Sequence, residues 1–156
     1  MTLPYKRPES VLMVIYTTAG EVLLLQRREP PDFWQSVTGS LHWDELPAQA
    51  AARELAEETG ITCAVIEDCG RSNRYPILPA WRARYAPDVY ENVEHVFQVQ
   101  LPQRTAIRLN PAEHVAMEWL PLGLAARRAS SQTNRVAILE LALLPSQKVD
   151  DARASQ

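Results

Sequence analysis

Two β-rich runs, Ser10–Tyr16 and Glu21–Gln26, flank Thr17-Thr18-Ala19-Gly20, and this pattern predicts a hairpin. Pro30-Pro31 breaks the chain and Asp32–Gln35 reads as a continuing loop; Ser36–Thr38 is a short strand ending at Gly39. A helix follows. Pro47 sits in its first turn, Asp44 and Glu45 lie near its positive end, Gly60 is its C-terminal cap, and Ala48, Ala51, Ala52, Leu55 and Thr59 form a weakly apolar stripe. Ile61–Ile66 reads as a strand, and residues 70–90 as an irregular segment rich in Arg, Pro and aromatics. Asn92–Leu101 alternates through Val93, His95, Phe97, Val99 and Leu101 as a strand, and Ile107–Leu109 and Ala116–Leu120 read as shorter strands. A second helix over Thr133–Leu144 places Val136, Leu139, Ala142 and Leu143 on its apolar side and stops at Pro145. From this order we expect an α+β fold, a mixed β-sheet between helices, as one domain over residues 1–145 with a frayed polar tail over 146–156.

The first helix carries an electrostatic oddity. At about 100° per residue, Glu54, Glu57 and Glu58 share one arc of about 100°, a third of a turn from the apolar stripe. The expected picture is oils on a core and three carboxylates on one exposed edge. Like charges at these spacings destabilise a helix by about 0.2–0.5 kcal/mol per pair. Glu57 and Glu58 also lie in the last turn, where the macrodipole favours cations. A divalent cation reverses that sign, and oxygen ligands with no His or Cys nearby in sequence favour Mg²⁺, with Mn²⁺ as substitute, over zinc. A solvated acidic face is the plainer alternative.

Composition narrows the field. The 156 residues are 46% hydrophobic and 22% charged, enough to bury a core, and 16 basic against 19 acidic residues leave a net charge of -3. That balance supports neither a nucleic-acid polymer nor a membrane surface as partner. The longest apolar run, Val11–Tyr16, is far short of a membrane span. Cys63 and Cys69 have neither a CxxC nor a zinc-pair spacing, so free thiols in a reducing cytoplasm are expected.

Gly39, five residues, Glu45, seven residues, then Arg53-Glu54-Leu55-x-Glu57-Glu58-x-Gly60-Ile61 resembles the Nudix box without a missing position. The resemblance implies an α/β/α sandwich and Mg²⁺-dependent hydrolysis of a nucleoside diphosphate linked to another group. It implies that Gly39 closes a loop and offers its carbonyl to a metal, that Glu54, Glu57 and Glu58 bind metal or activate water, that Arg53 orients carboxylates, and that Glu45 ties the loop to the site. Which glutamate is the base stays open. Tyr5-Lys6-Arg7-Pro8, Asp32–Ser40 and Arg84-Tyr85-Ala86-Pro87 resemble, more narrowly, the bacterial dihydroneopterin triphosphate pyrophosphatases, and on that likeness Glu113 matches a further metal-ligand glutamate. This implies a small-molecule triphosphate as substrate, with dATP or another nucleoside triphosphate also cleaved. His42, Trp43 and Asp44 stand where the family loop usually has an acid and a glycine, and Val89–Glu94 drifts from the subgroup. Other Nudix substrates (dinucleoside polyphosphate, nucleotide sugar, oxidised dGTP) and a non-catalytic ligand-binding regulator are the alternatives; the intact Arg-Glu-x-x-Glu-Glu argues against the regulator.

A triphosphate needs local positive charge. Arg27, Arg82 and Arg84 are the candidate contacts, joined by Arg28, which faces the opposite side if the strand continues. Trp34 and Trp81, in loops, are candidates to cover a ring. Phe33 is undecided, Trp119 reads as core, and His95 as a strand residue rather than a ligand.

Overall fold

The computed structural model describes residues 5–143, so the expected tail over 146–156 and both ends of the expected domain lie outside the described residues. The strands are β1 (Glu9–Thr17), β2 (Glu21–Arg27), β3 (Trp34–Gln35), β4 (Val37–Ser40), β5 (Glu67–Pro76), β6 (Glu91–Leu101) and β7 (His114–Pro121); the helices are α1 (Pro47–Thr59), α2 (Leu122–Arg128) and α3 (Gln132–Glu140). Among the described residues the seven strands form one sheet of order β3-β2-β1-β6-β5, with β4 on β1 and β7 on β2.

The centre of the sheet is β1, buried on both faces because successive side chains alternate sides. Val11, Met13 and Ile15 meet Ala50, Ala51 and Leu55 of α1 in one core, with Phe97 and Val99 of β6. Leu12, Val14 and Tyr16 meet Ala125, Ala126, Ala137 and Ile138 of α2 and α3 in the other. The expected mixed sheet between helices is therefore present: β6 runs parallel to β1 and the other pairings are antiparallel.

Several local expectations are corrected. The hairpin turn exists, but β1 and β2 pair only at Tyr16↔Val22; below that point β1 takes β4 as partner, from Ser10↔Ser40 to Met13↔Val37. Trp34–Gln35 is a short strand on β2 and not loop. Ile61–Ile66 and Ile107–Leu109 are not strands. Their apolar residues pack on the α1 core (Ile61, Ala64, Ile66, Ile107, Leu109) without a ladder partner, so hydrophobic content misled. Conversely, β5 is polar and edge-placed, and its pairing with β6 overrides weak local propensity within the span expected to be irregular. The helix α2 was not expected, and α3 buries Asn134, Ala137 and Ile138, followed by Leu141, while Val136, Leu139, Ala142 and Leu143 are exposed. A helix with so little apolar content has no sharp stripe to read, and tertiary docking set its face. Asn134 supplies part of that docking: its Oδ1 accepts from Ser36 N at 2.8 Å and its Nδ2 donates to Ser36 Oγ at 2.9 Å. No helix among the described residues is long and apolar enough to cross a membrane, and Cys63 and Cys69 are free.

Candidate active site

The helix α1 begins at Pro47, whose missing N–H falls where no intrahelical acceptor exists, and Gln49 Oε1 accepts from Leu46 N at 2.9 Å. It ends at Gly60 with φ 81°, a left-handed cap. Between them the buried small side chains Ala50 and Ala51 draw the helix close to the sheet. That proximity turns Glu54 and Glu58 inward against β4: they are 8% and 2% exposed, and only Glu57 faces water. The expectation of three carboxylates on an exposed edge is corrected for two of them.

Gly39 lies within β4 opposite Val11, not at a loop closure as expected, and its φ is not positive. Close approach is why it is glycine: an added Cβ would lie 2.2 Å from the Glu54 carboxyl carbon and Oε1. Gly39→Ala is therefore expected to displace the Glu54 carboxylate while leaving β4 paired. A shift near 1 Å costs about 100-fold in turnover. Steady-state kinetics with a melting curve check this; near-normal turnover would show that Glu54 need not sit against β4.

Glu58 accepts from the Thr38 backbone N–H, while its Oε2 is buried with no hydrogen-bond partner among the described residues. Burial first, then the charges of Glu54 and Glu113, push its proton affinity well above the ordinary carboxylate range. Burial also raises Glu54, opposed by Arg53. Glu113, exposed at the foot of β7, joins this group: one ligand atom each from Glu58, Glu113 and His114 lie within 4.8 Å of one another. The expectation of no nearby histidine is thus corrected: His114 stands beside Glu58 and Glu113. Its Nε2 lies 3.2 Å from the Gln35 side-chain nitrogen, and its Nδ1 is buried and unpartnered among the described residues. Burial, then Arg27, lower its pKa to about 4, so the ring is neutral at pH 7.

Arg53 organises the cluster. Its Nε and NH2 bind Glu45 at 2.8 Å each, NH1 reaches Glu54 at 2.7 Å and Glu57 at 3.3 Å, and NH2 also donates to Ser40 O at 3.0 Å. Glu45 Oε1 in turn accepts from His42 N at 3.0 Å, which holds the 42–45 loop in the absence of the family glycine. Arg7, unremarked in the sequence beyond its place in Tyr5-Lys6-Arg7-Pro8, clamps the same loop: its NH1 donates to the carbonyls of His42, Trp43 and Glu45 at 2.9, 3.2 and 2.9 Å. Trp43 Nε1 donates to Tyr5 O at 2.9 Å.

Three cations converge above the carboxylates. Lys6, also missed in the sequence, has its proton affinity lowered by burial and then by Arg84 and Arg27, while Glu54 and Glu113 act oppositely. Its backbone N donates to Arg84 O at 2.9 Å. The Arg27 guanidinium lies 5.3 Å from the Trp81 ring centre and 5.9 Å from that of Phe33, and the two rings meet edge to face. The other candidates are engaged elsewhere. Arg28 NH1 donates to Pro111 O, Arg82 stacks on Tyr90 at 4.0 Å, and Trp34 lies under Arg128 and packs against the α2–α3 core. Trp119 packs on the α1 core, and His95 Nε2 pairs with Glu9 at 2.9 Å.

A buried, unpartnered oxygen on Glu58, under the charges of Glu54 and Glu113 and beside a glycine whose Cβ would collide with the Glu54 carboxylate, suits a hard divalent cation, which accepts only oxygen donors readily. Glu54, Glu58 and Glu113, with the Gly39 strand, are the residues that fit one.

A family model, the NUDIX domain, matches residues 6–141. The chain is 45% identical over 139 residues to dihydroneopterin triphosphate diphosphatase of Escherichia coli, covering 86% of this chain and 91% of that protein. It is 38% identical over 143 residues to the protein of the same name in Haemophilus influenzae, covering 88% and 89%. Among solved structures, the E. coli dihydroneopterin triphosphate pyrophosphohydrolase superposes with a TM-score of 0.84 at 42% identity, covering 92% of this chain and 100% of that one.

Proposed function

The chain belongs to the Nudix family of hydrolases, and from that premise we propose that it converts dihydroneopterin triphosphate and water to the monophosphate and pyrophosphate, with Mg²⁺ as cofactor and Mn²⁺ as substitute. The observation that carries the substrate is the 45% identity over 139 residues to a diphosphatase named for it. Cleavage of dATP or another nucleoside triphosphate is a lesser activity of the same site.

Each residue has a physical task. Lys6, Arg27 and Arg84 gather the polyphosphate; their proximity to one another is tolerable because an anion separates their charges. Glu54, Glu58 and Glu113 hold the divalent cation, which when bound neutralises the polyphosphate and makes an adjacent water more acidic. Arg53 fixes the Glu54 carboxylate and, through Glu45, the loop beside it. The attacking water gives its proton to a carboxylate of the Glu54, Glu57 and Glu58 set. Phe33 and Trp81 cover Arg27 and shield it from water, which strengthens its hold on phosphate. The free thiols suit a reducing cytoplasm, where we place the enzyme.

A hydrolysis panel with product analysis tests this: dihydroneopterin triphosphate, dATP, diadenosine polyphosphate and ADP-ribose, each with Mg²⁺. The expected result is the highest kcat/KM on dihydroneopterin triphosphate, releasing pyrophosphate. Preference for ADP-ribose or the dinucleotide, or release of inorganic phosphate instead, overturns the substrate assignment.

A further inference from the structure

Lys6 and Arg7 are neighbours in the chain but serve different parts of the site. Lys6 stands among the cations above the carboxylates. In Arg7, all three guanidinium nitrogens are engaged by protein oxygens. Nε and NH2 donate to Glu9 Oε1 at 3.1 and 2.9 Å, and NH1 donates to the carbonyls of His42, Trp43 and Glu45. That engagement turns Arg7 toward the 42–45 loop and not toward a phosphate.

Three carbonyl oxygens turned toward one point repel each other unless a cation sits among them. This loop carries His42-Trp43-Asp44, so it has no glycine with which to relax. The clamp also reaches the chemistry. Arg7 holds the backbone of Glu45, the Glu45 carboxylate holds Arg53, and Arg53 NH1 holds Glu54 Oε1 at 2.7 Å. A displaced loop would therefore carry Arg53 and the Glu54 carboxylate with it.

A long arginine side chain has many rotamers, so something must aim this one. Glu9 does so, and His95 stands behind it. Glu9 lies opposite Val93, and Val11 lies opposite His95, in the parallel pairing of β1 with β6. Residues two apart share a face, so Glu9 and His95 are diagonal neighbours on the side of the sheet that α1 covers. His95 Nε2 is 2.9 Å from Glu9 Oε2, while Arg7 occupies Oε1. Each carboxylate oxygen has its own partner, so the group cannot turn without losing one. The His95 hydrogen bond first, and then that of Arg7, hold the Glu9 carboxyl below the ordinary carboxylate range against the effect of burial. Glu9 O also accepts from Leu41 N at 2.9 Å, just before the loop. Half-exposed pairs such as these add little to stability; what they provide is geometry.

We propose that Glu9, oriented by His95, is a positioning residue for the metal-binding carboxylate Glu54: it aims Arg7 at the 42–45 loop, and the loop fixes Glu54 through Glu45 and Arg53. This rests on the metal-dependent hydrolase reading above and is independent of which triphosphate is cleaved. Removing an outer partner of a metal ligand costs about 10- to 100-fold in metal affinity or activity. Glu9 acts through several partners in series, so the lower end of that range applies. Phosphate binding is held separately: Lys6 N donates to Arg84 O at 2.9 Å, and Pro8 O accepts from Val93 N at 3.0 Å, neither of which involves the Glu9 side chain.

A double-mutant cycle of Glu9→Ala and Arg7→Ala tests this. Two quantities are followed: kcat and KM on the substrate the wild type cleaves best, and Mg²⁺ affinity by titration calorimetry without substrate. Glu9→Ala is expected to lower kcat by about 10-fold and to weaken Mg²⁺ binding by a similar factor, with KM within about 2-fold of wild type. Arg7→Ala should lose at least as much, and adding Glu9→Ala to it should change neither quantity further. The cycle is the readout, because a merely structural Glu9 would add its own loss to that of Arg7. If Glu9→Ala does not fold, Glu9→Gln takes its place in the cycle, with a smaller loss, since it leaves Arg7 one oxygen but no charge. His95→Ala should lower kcat less, and only where Glu9 is present. Losses that add in the double variant, unchanged kcat and Mg²⁺ affinity in Glu9→Ala, or a change confined to KM overturns the inference. A His95→Ala loss that persists in the Glu9→Ala background overturns the part given to His95. Should the wild type prefer ADP-ribose, the substrate assignment fails, and the same cycle on that substrate still decides the role of Glu9.

Discussion

Glu58→Gln is expected to abolish turnover, by on the order of 10³-fold, while making the metal-free protein more stable. The two effects share one cause. Glu58 is 2% exposed, its Oε2 has no partner among the described residues, and the charges of Glu54 and Glu113 bear on it. An amide keeps the oxygen that accepts from Thr38 N–H and puts an NH₂ where the unpaired oxygen stood, facing carboxylates instead of repelling them. The gain depends on pH in a defined direction. Because the folded-state proton affinity is raised above the ordinary 4.5, ionised Glu58 destabilises the fold at alkaline pH, and protonation relieves this as the pH falls. The advantage of glutamine should thus be full at alkaline pH and vanish on approach to pH 4.5. Adding Mg²⁺ should raise the melting temperature of wild type and leave Glu58→Gln unmoved. Melting curves at several pH values with and without Mg²⁺, beside kcat, measure all of this. A variant that melts below wild type at pH 8, or still responds to Mg²⁺, would show that Glu58 is neither strained nor a ligand.

The second large effect is at Arg53. Arg53→Ala strands two mostly buried carboxylates, Glu45 and Glu54, and frees the 42–45 loop. Breaking such a pair costs on the order of 3 kcal/mol. Loss of Glu54 orientation costs about 100-fold in kcat. Arg53→Lys should recover little, because one ammonium cannot span Glu45, Glu54 and the Ser40 carbonyl in the fork geometry of a guanidinium. Acid unfolding provides a separate readout. Hydrogen bonding to Arg53 holds the Glu45 carboxyl at a pKa of about 2, below the ordinary 4.5. Its contribution to stability is complete above pH 4.5 and is lost as the pH falls toward 2. Arg53→Ala should flatten that part of the stability profile. A variant with wild-type acid sensitivity would place the Glu45 interaction outside the stabilising set.

What could be read from residues alone follows from which features are local. The box from Gly39 to Ile61 was legible because its turn, cap and acid spacing lie within 23 residues. The acids also violate helix electrostatics in a way that calls for a cation. Arg27, Arg84 and Trp81 were legible as candidates, yet Arg28 and Arg82 look the same in sequence and end on Pro111 and Tyr90. Arg7 lies more than 30 residues from the loop it clamps, and Lys6 is far in sequence from Arg84 and Glu113, so no pattern near them announces either role.

The sequence by itself determined the central β1 strand, the helix with its three acids and its ends, and the family those acids indicate, since each depends on neighbours a few residues apart. Tertiary structure alone decided that Glu54 and Glu58 are buried, that Glu113 and His114 stand beside them, and that Glu9 and His95 stand behind Arg7. The physical reason is that burial and charge coupling are set by which surfaces meet. In a sheet whose central strand takes β4, β2 and β6 as partners, those surfaces come from residues far apart along the chain.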